Sequence, residues 1–517
     1  MSAQRAGFLL AAFVLIYAAA HTTLRLSFSG NFTTDDAQAV LAIDALRLGY
    51  TASQPPLYEW LLYAVHQVFG VSLAAALFVK YALIGLTAFF LFQIALCVVG
   101  KPALTLFSVL SLALYYQISW NLLEGNSHSL TVIFATALSV FAATRIMRNG
   151  DLGSYLLLSI ALGLGFLSKF SFLFIAAALL ISLYVAKETR VRLNTPLLVA
   201  AALLGLLLAS PYGLWLIAQD GFLSGLTDKA RTTQTGLAAF LGLDGPLKAV
   251  VSAFLYSLPF LPFFALCFFS AFRNGTVSEI DIDRGVYLRF LRRFFVLSIG
   301  LVVVTAFLTD ASNIKERHFH PFFLVLPIIV FAHLDLRPVS SRALTAYATC
   351  ILVVVSSFFL IRFASLAIPE DWVCGRCRES IPFDRLAKAV EKNDAPAILA
   401  YDPYTGSNLL RFFPRDAVFT RGSDAPPATF PDGCRALWRV YEESTRSRSV
   451  TVLEKVFPDL QLRKKRRAPP PVPWDVHRQG SEHLIVPWED DPAAGRISEW
   501  RIKTIVDPTL CRTLRET

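Results

Sequence analysis

Long apolar runs separated by short polar stretches occupy residues 1–366, and a polar stretch fills the remainder. The apolar centres are Phe8–Leu24, Leu73–Val99, Leu104–Trp120, Leu130–Ala143, Leu156–Leu167, Phe172–Val185, Leu197–Ala218, Val250–Phe272, Phe294–Phe307, Phe322–Leu334 and Leu344–Phe363. A bilayer crossing needs ~20 apolar residues as helix, so this pattern predicts about eleven transmembrane helices. Phe8–Leu24 reads as a retained span rather than a signal peptide. No clean small-residue cleavage site follows it, and His21 and Arg25 suit the end of a span. The pattern changes after Pro369. Residues Phe383–Phe419 read as helix, strand (Ala397–Ala400), helix and strand (Val418–Phe419). The expected organisation is a transmembrane domain over 1–366 and a soluble α/β domain over 367–517. Lys464–Pro473 reads as an exposed basic, proline-rich loop.

Composition agrees. Of 517 residues, 55% are hydrophobic and 17% charged, against roughly 25% charged in soluble proteins. The net charge of +10 does not point to nucleic acid, because basic residues of membrane proteins gather in cytoplasmic loops. With eleven spans, one face carries Arg5, Lys101, Arg145, Arg148, Lys187, Arg190, Arg192, Arg273, Arg284, Arg289, Arg292, Arg293, Arg337 and Arg342. That face is assigned to the cytoplasm. The other face holds loops 25–72, 121–128, 168–171, 219–249 and 310–321, and an odd span count puts the tail there too. Cys97, Cys267 and Cys350 fall in spans. Cys374, Cys377, Cys434 and Cys511 form an even set in the tail. Disulfides fit an outer-side domain, in any of three connectivities, and a CxxC zinc half-site is the rival reading.

The chemistry concentrates in the first outer loop, 25–72. Asn31-Phe-Thr-Thr-Asp35-Asp36 opens a predicted helix running through Tyr50, with Thr34 or Asp35 as N-cap. Pro55 and Pro56 start a second, Gly70 ends it, and His66 reads as a surface residue. Asn31-Phe-Thr is formally an N-glycosylation acceptor, relevant only in a eukaryotic secretory pathway. Two readings of the acidic pair stand side by side. Carboxylates at a helix start are favoured by about 0.3–1 kcal/mol through the helix dipole. Alternatively, an ionised Asp beside the membrane can take a proton from an acceptor hydroxyl. Neighbouring helical residues diverge by ~100°, so Asp35 and Asp36 would have different tasks.

Further polar residues share that face. Asn121, Glu124, Asn126 and His128 follow the third span, Lys169 interrupts an apolar stretch, and Lys315, Glu316, Arg317, His318 and His320 precede Pro321. Charge in a membrane costs about 2.5–3.5 kcal/mol on insertion scales. Lys169 is therefore either functional or a snorkelling lysine, and the cluster at 315–320 is either an anion site or an interfacial basic loop. His318 and His320 could be metal ligands, but their i, i+2 spacing suits a strand better than a helix.

Together, Asp-Asp in the first outer loop, the Gln54-Pro-Pro-Leu-Tyr58 segment ending at Trp60, Leu167-Ser-Lys169 and the basic cluster resemble glycosyltransferase family 39. That family includes protein O-mannosyltransferases and lipid A aminoarabinose transferases and has the GT-C membrane fold. The resemblance covers roughly residues 8–335. It implies inverting transfer of a sugar from a polyprenyl-phosphate carrier to a lipopolysaccharide, lipid, glycan or protein acceptor on the outer face of a bacterial inner membrane. Asp35 would be the general base, with Asp36 orienting substrate or assisting. Lys169, Lys315, Arg317 and His318 would bind the donor phosphate, and Gln54, Tyr58 and Glu124 the substrate. Gln54 replaces the Lys that begins this motif in aminoarabinose transferases, which argues against that donor. The chemistry requires no cofactor, although a divalent ion bridging Asp36 and phosphate is compatible with it. No Walker loop or Rossmann glycine pattern is present in the sequence. A transporter or flippase of a lipid-linked glycan would share the spans but has no evident use for paired Asp residues in a surface helix. A ligase of whole lipid-linked glycans is a further alternative.

Overall fold

The computed structural model describes residues 1–122, 125, 127–219, 244–274, 278–309, 311, 313–368, 371–374, 377–391, 397–420, 434–439, 482–487, 497–505 and 511–512. The apolar runs are helical. Six helices are long and apolar enough to cross a bilayer: Ala3–Phe28, Leu73–Val98, Ser127–Asn149, Thr195–Ile217, Ile282–Thr309 and Ser341–Ala367. Gly245–Ser257 and Phe260–Arg273, bent by 58° at the break between them, make a seventh if they form one span. Four more, Pro102–Leu114, Leu152–Phe166, Phe172–Tyr184 and Leu326–Asp335, are apolar but have only 10–17 residues. At 1.5 Å per residue even the longest falls short of the ~30 Å hydrocarbon core. The described residues therefore contain six or seven helices of full crossing length, rather than the expected eleven.

Local sequence explains several boundaries. Asp151 caps Leu152–Phe166 by accepting from Ser154 N at 2.6 Å, and Asn194 caps Thr195–Ile217 by accepting from Leu197 N at 3.2 Å. These two helices pack through Gly163 and Gly205. A Cβ on Gly163 would lie 2.9 Å from Leu208 Cβ, and one on Gly205 would lie 2.8 Å from Leu162 Cβ. Small residues let transmembrane backbones approach closely. The run beginning at Leu104 is not one straight helix. It passes from α-helix (Pro102–Leu110) through a 3₁₀ turn (Ser111–Leu114) to a π-helical turn (Gln117–Asn121).

The chain forms two compact units. The first comprises Met1–Ala20, Arg47–Leu61 and Phe78–Phe358. In it, loops assigned to the cytoplasmic face contact one another. The Asp335 carboxylate accepts from Gly100 N at 2.8 Å and from the Arg284 guanidinium, while Lys101 Nζ bonds the Asp335 carbonyl at 2.7 Å. Glu188 pairs with Arg289 and Arg293 at 2.9 and 2.7 Å, and Arg192 with Asp283 at 2.5 Å.

The second unit comprises His21–Leu46, Leu62–Leu77 and Phe359–Thr517. Its tail contains helices Phe383–Glu391 and Pro403–Leu409 and a five-stranded sheet. The strands are β1 (Ile398–Ala400), β2 (Val418–Thr420), β3 (Cys434–Arg439), β4 (Glu482–Pro487) and β5 (Ile497–Ile505), in the order β2-β1-β3-β5-β4. β1 runs parallel to β2 and β3, while β5 runs antiparallel to β3 and β4. The first two strands match the expectation closely. Disulfides join Cys374 to Cys377 and Cys434 to Cys511, so the CxxC is a disulfide and not a zinc half-site. The basic stretch 464–473 lies outside the described residues.

Candidate active site

The expected site residues fall into two groups, one in each unit. In the second unit, the acidic helix runs over Thr34–Ala42 and its N-cap is Thr33, with φ −72° and ψ 172°, not Thr34 or Asp35. The helix stops eight residues short of Tyr50: Asp44 accepts from its neighbour Ala45 N at 2.9 Å, and Leu46 and Leu48 are exposed. Turn-forming side-chain bonds thus override the apolar spacing. Thr33 Oγ1 donates to Asp36 Oδ2 at 2.8 Å, and Asp36 is fully buried, whereas Asp35 is partly exposed. The two carboxylates therefore differ in environment as the helical geometry requires. Asp36 braces the turn, and Asp35 is the more exposed of the two.

The chain around this pair is held by many side chains. The Arg25 guanidinium donates to Ser29 O at 3.0 Å and Asn31 O at 2.5 Å. The Asn31 amide donates to Glu379 O and Ile381 O at 2.9 and 2.7 Å and accepts from Arg411 Nη1 at 2.7 Å. Asn31 is buried, so the Asn-Phe-Thr triplet is structural and not a glycan site. His66 is also buried rather than on the surface, and its pKa falls to about 4, first through burial and then through Arg415.

The first unit contains the second group. A bridge between Thr51 and Gln54 closes a turn, Pro55 and Pro56 follow, and Leu57 N, at the start of helix Leu57–Phe69, donates to Leu167 O at 2.9 Å. This bond ties the proline motif to the Ser168-Lys169 turn. Tyr58 is fully buried, its ring centroid 6.0 Å from that of His128. Glu59 Oε1 pairs with His128 Nε2 at 3.1 Å, and next to it Ser129 Oγ accepts from Lys169 Nζ at 3.0 Å. Lys169 is thus held against a neighbouring helix start. Gln54 is partly exposed.

The basic cluster folds as a 3₁₀ turn over Glu316–Phe319, not as a strand. His318 Nδ1 accepts from Lys315 N at 3.3 Å. Burial, Lys169, Arg317 and Lys315 together push the His318 pKa down to about 4. Burial and Lys169 push that of His320 to about 3, and its Nδ1 lies against Arg317 O. At neutral pH His318 is therefore a neutral hydrogen-bonding group, and the fixed cations of the turn are Lys315 and Arg317. Lys169 acts electrostatically on both imidazoles of this turn.

The fold thus gathers Gln54, Tyr58, Lys169, Lys315, Arg317 and His318 from three distant segments of one unit. Glu124 lies outside the described residues. Among the described residues, no three His, Cys, Asp or Glu side chains form a group able to hold a metal ion. The pairing of Glu59 with His128 was not anticipated. Its signal was a lone carboxylate in the otherwise apolar stretch Leu57–Tyr63, facing the only titratable imidazole at the start of Ser127–Asn149.

Comparison with known proteins supports the same conclusion. A family model described as dolichyl-phosphate-mannose-protein mannosyltransferase matches residues 53–215, the stretch from the proline motif through the Lys169 turn. The chain is 26% identical over 426 residues to the lipopolysaccharide core galacturonosyltransferase RgtA of Rhizobium johnstonii, covering 82% of this chain and 83% of that one. It is also 26% identical over 405 residues to RgtB of the same organism, covering 76% and 78%. The crystal structure of ArnT from Cupriavidus metallidurans bound to undecaprenyl phosphate shares the fold, with a TM-score of 0.52 at 11% identity over 97% of this chain and 98% of that one. The apolar helices, the small tail sheet and these likenesses converge on a multi-pass membrane glycosyltransferase with the GT-C fold of ArnT, similar over residues 53–215 to the mannosyltransferase family.

Proposed function

We propose that this enzyme moves a uronic acid from a polyprenyl-phosphate carrier onto the lipopolysaccharide core, at the periplasmic face of a bacterial inner membrane, with inversion at the sugar's C1. The tail lies on that same face in this reading. RgtA and RgtB, whose names carry the galacturonosyl donor and the core acceptor, are matched over more than three quarters of this chain. Gln54 in place of a lysine argues against an aminoarabinose donor.

The reaction is one displacement. Asp35 takes the acceptor hydroxyl proton as that oxygen bonds C1, the C1–O bond to phosphate breaks, and the electron pair leaves on the phosphate. Lys169, Lys315 and Arg317 neutralise the developing charge, and neutral His318 hydrogen-bonds it. Fixed donors in a partly dry site stabilise such charge better than water, which must reorient. His128, held by Glu59 and packed beside the buried Tyr58, lines the donor sugar together with Gln54. The observation that carries the reading is the gathering of Gln54, the Glu59–His128 pair, the Lys169–Ser129 bond and the basic turn in one unit.

The test is transfer from a synthetic polyprenyl-phosphate uronic acid to purified core acceptor by reconstituted enzyme. Asp35→Asn is expected to lose about 10²–10⁴-fold in kcat while still binding donor. Transfer at the parent rate by that variant removes Asp35 as the base.

A further inference from the structure

The acidic helix has little intrinsic means of staying in place. It has nine residues, and its cap residue Thr33 makes no side-chain bond to a helix N–H. Isolated helices shorter than ~12–15 residues are marginal in water. What holds it comes from more than 340 residues later in the sequence. Phe32 N donates to Asn408 Oδ1 at 2.8 Å, and Asn408 Nδ2 anchors to Tyr404 O at 2.9 Å. Arg411 Nη1 bonds Asn31 Oδ1 at 2.7 Å. Arg378 donates to Thr34 Oγ1, next to Asp35, and Ser407 Oγ to Ala37 O. Arg415 reaches the other end, donating to Val40 O at 2.7 Å and Leu41 O at 3.3 Å, where helix carbonyls have no internal partner. Asn31, Phe32, Asp36, Ser407 and Asn408 are all buried, so these bonds are shielded from water. Gly30 fits the arrangement, since a Cβ there would collide with the Arg411 guanidinium.

These bonds precede, flank or follow the Asp pair along the chain. Their effect is to fix the backbone from which Asp35 projects. From this geometry we infer that the tail is a positioning element for the catalytic helix, with Asn408 and Arg411 as its principal positioning residues. The inference rests on Asp35 being the base. Displacement of a reacting group by about 1 Å costs on the order of 10²-fold in rate, so loosening the helix lowers turnover and leaves donor binding alone.

The experiment uses full-length protein in lipid nanodiscs with the same synthetic donor and core acceptor. It measures kcat, the donor KM and the thermal midpoint for parent, Asn408→Ala, Arg411→Ala, Arg411→Lys and Asp35→Asn. The expected result is a kcat loss of about tenfold or more in Asn408→Ala and Arg411→Ala, with donor KM and thermal midpoint near the parent values. Arg411→Lys, which can still donate one bond to Asn31, recovers part of the loss. Parent-like kcat in both alanine variants overturns the positioning role even when Asp35→Asn is inactive, and the base assignment then stands. A kcat loss matched by an equal rise in donor KM, or by a fall in thermal midpoint that Arg411→Lys does not repair, also overturns it. Parent-like transfer by Asp35→Asn removes the base, and the inference with it.

Discussion

Asp35 and Asp36 are adjacent in sequence but differ in environment. Thr33 Oγ1 and burial commit Asp36 to the turn, and Asp35 stays partly exposed. Asp36→Asn is therefore expected to lower the thermal midpoint as well as turnover, whereas Asp35→Asn lowers turnover alone. Calorimetry on both variants checks the contrast. The Lys169 ammonium, bonded to Ser129, helps to lower the pKa of both His318 and His320. Lys169→Ala is expected to weaken binding of polyprenyl phosphate, and unchanged affinity in a lipid-binding assay contradicts the phosphate role. The same variant relieves one of the charges that depress His318. His318 has a folded pKa of about 4 against an ordinary 6.5. A His with a depressed folded pKa binds protons more readily when unfolded. Its contribution to stability is therefore complete above pH 6.5 and is lost as pH falls from 6.5 toward 4. The thermal midpoint should fall through that window, and less steeply in His318→Gln. That Asp35 and Lys169 are candidate site residues could be read from residue type and loop position. Neutral His318 could not, because burial and three neighbouring cations are properties of the folded chain.

Among the elements, apolar runs locate helices well because each run must bury or face lipid along its whole length. They locate crossing length less well. Leu156–Leu167 and Phe172–Val185 were legible as apolar, yet the helices there end at Phe166 and Tyr184 with only 15 and 13 residues. The turn between them carries Lys169. The acidic helix shows the opposite error. Its apolar spacing continued to Leu48, but local bonds stop it at Ala42. The strands β1 and β2 were readable because helix and strand alternate around them. β3, β4 and β5 lie in charged, proline-rich surroundings and are held by pairing that no local pattern reports. The same holds for the tail contacts to residues 31–41, which join segments about 350 residues apart in sequence. At this scale Gly30→Ala is expected to displace Arg411 and reduce turnover in the direction of Arg411→Ala, as steady-state kinetics would show.

For the whole molecule, charge and chemistry are segregated by loop. The loops assigned to the cytoplasm bond to one another through Asp335, Glu188 and Asp283, and the loops carrying Gln54, His128, Lys169 and Arg317 gather among themselves. Asp335 has a nearly buried carboxylate paired with Arg284. Removing one partner of such a pair costs about 3–5 kcal/mol, so Asp335→Ala should unfold at a distinctly lower temperature without altering donor KM. Topology follows from the same segregation. A cysteine placed at 35 is expected to react with a membrane-impermeant maleimide from the periplasmic side, and one at 190 only after the membrane is opened. The central claim concerns a product, and mass spectrometry of lipopolysaccharide core tests it most directly. Cells lacking this protein are compared with cells complemented by the parent or by Asp35→Asn. The account predicts one hexuronic acid fewer on the core in the deletion strain, restored by the parent and not by Asp35→Asn. Identical core masses with and without the protein would contradict it.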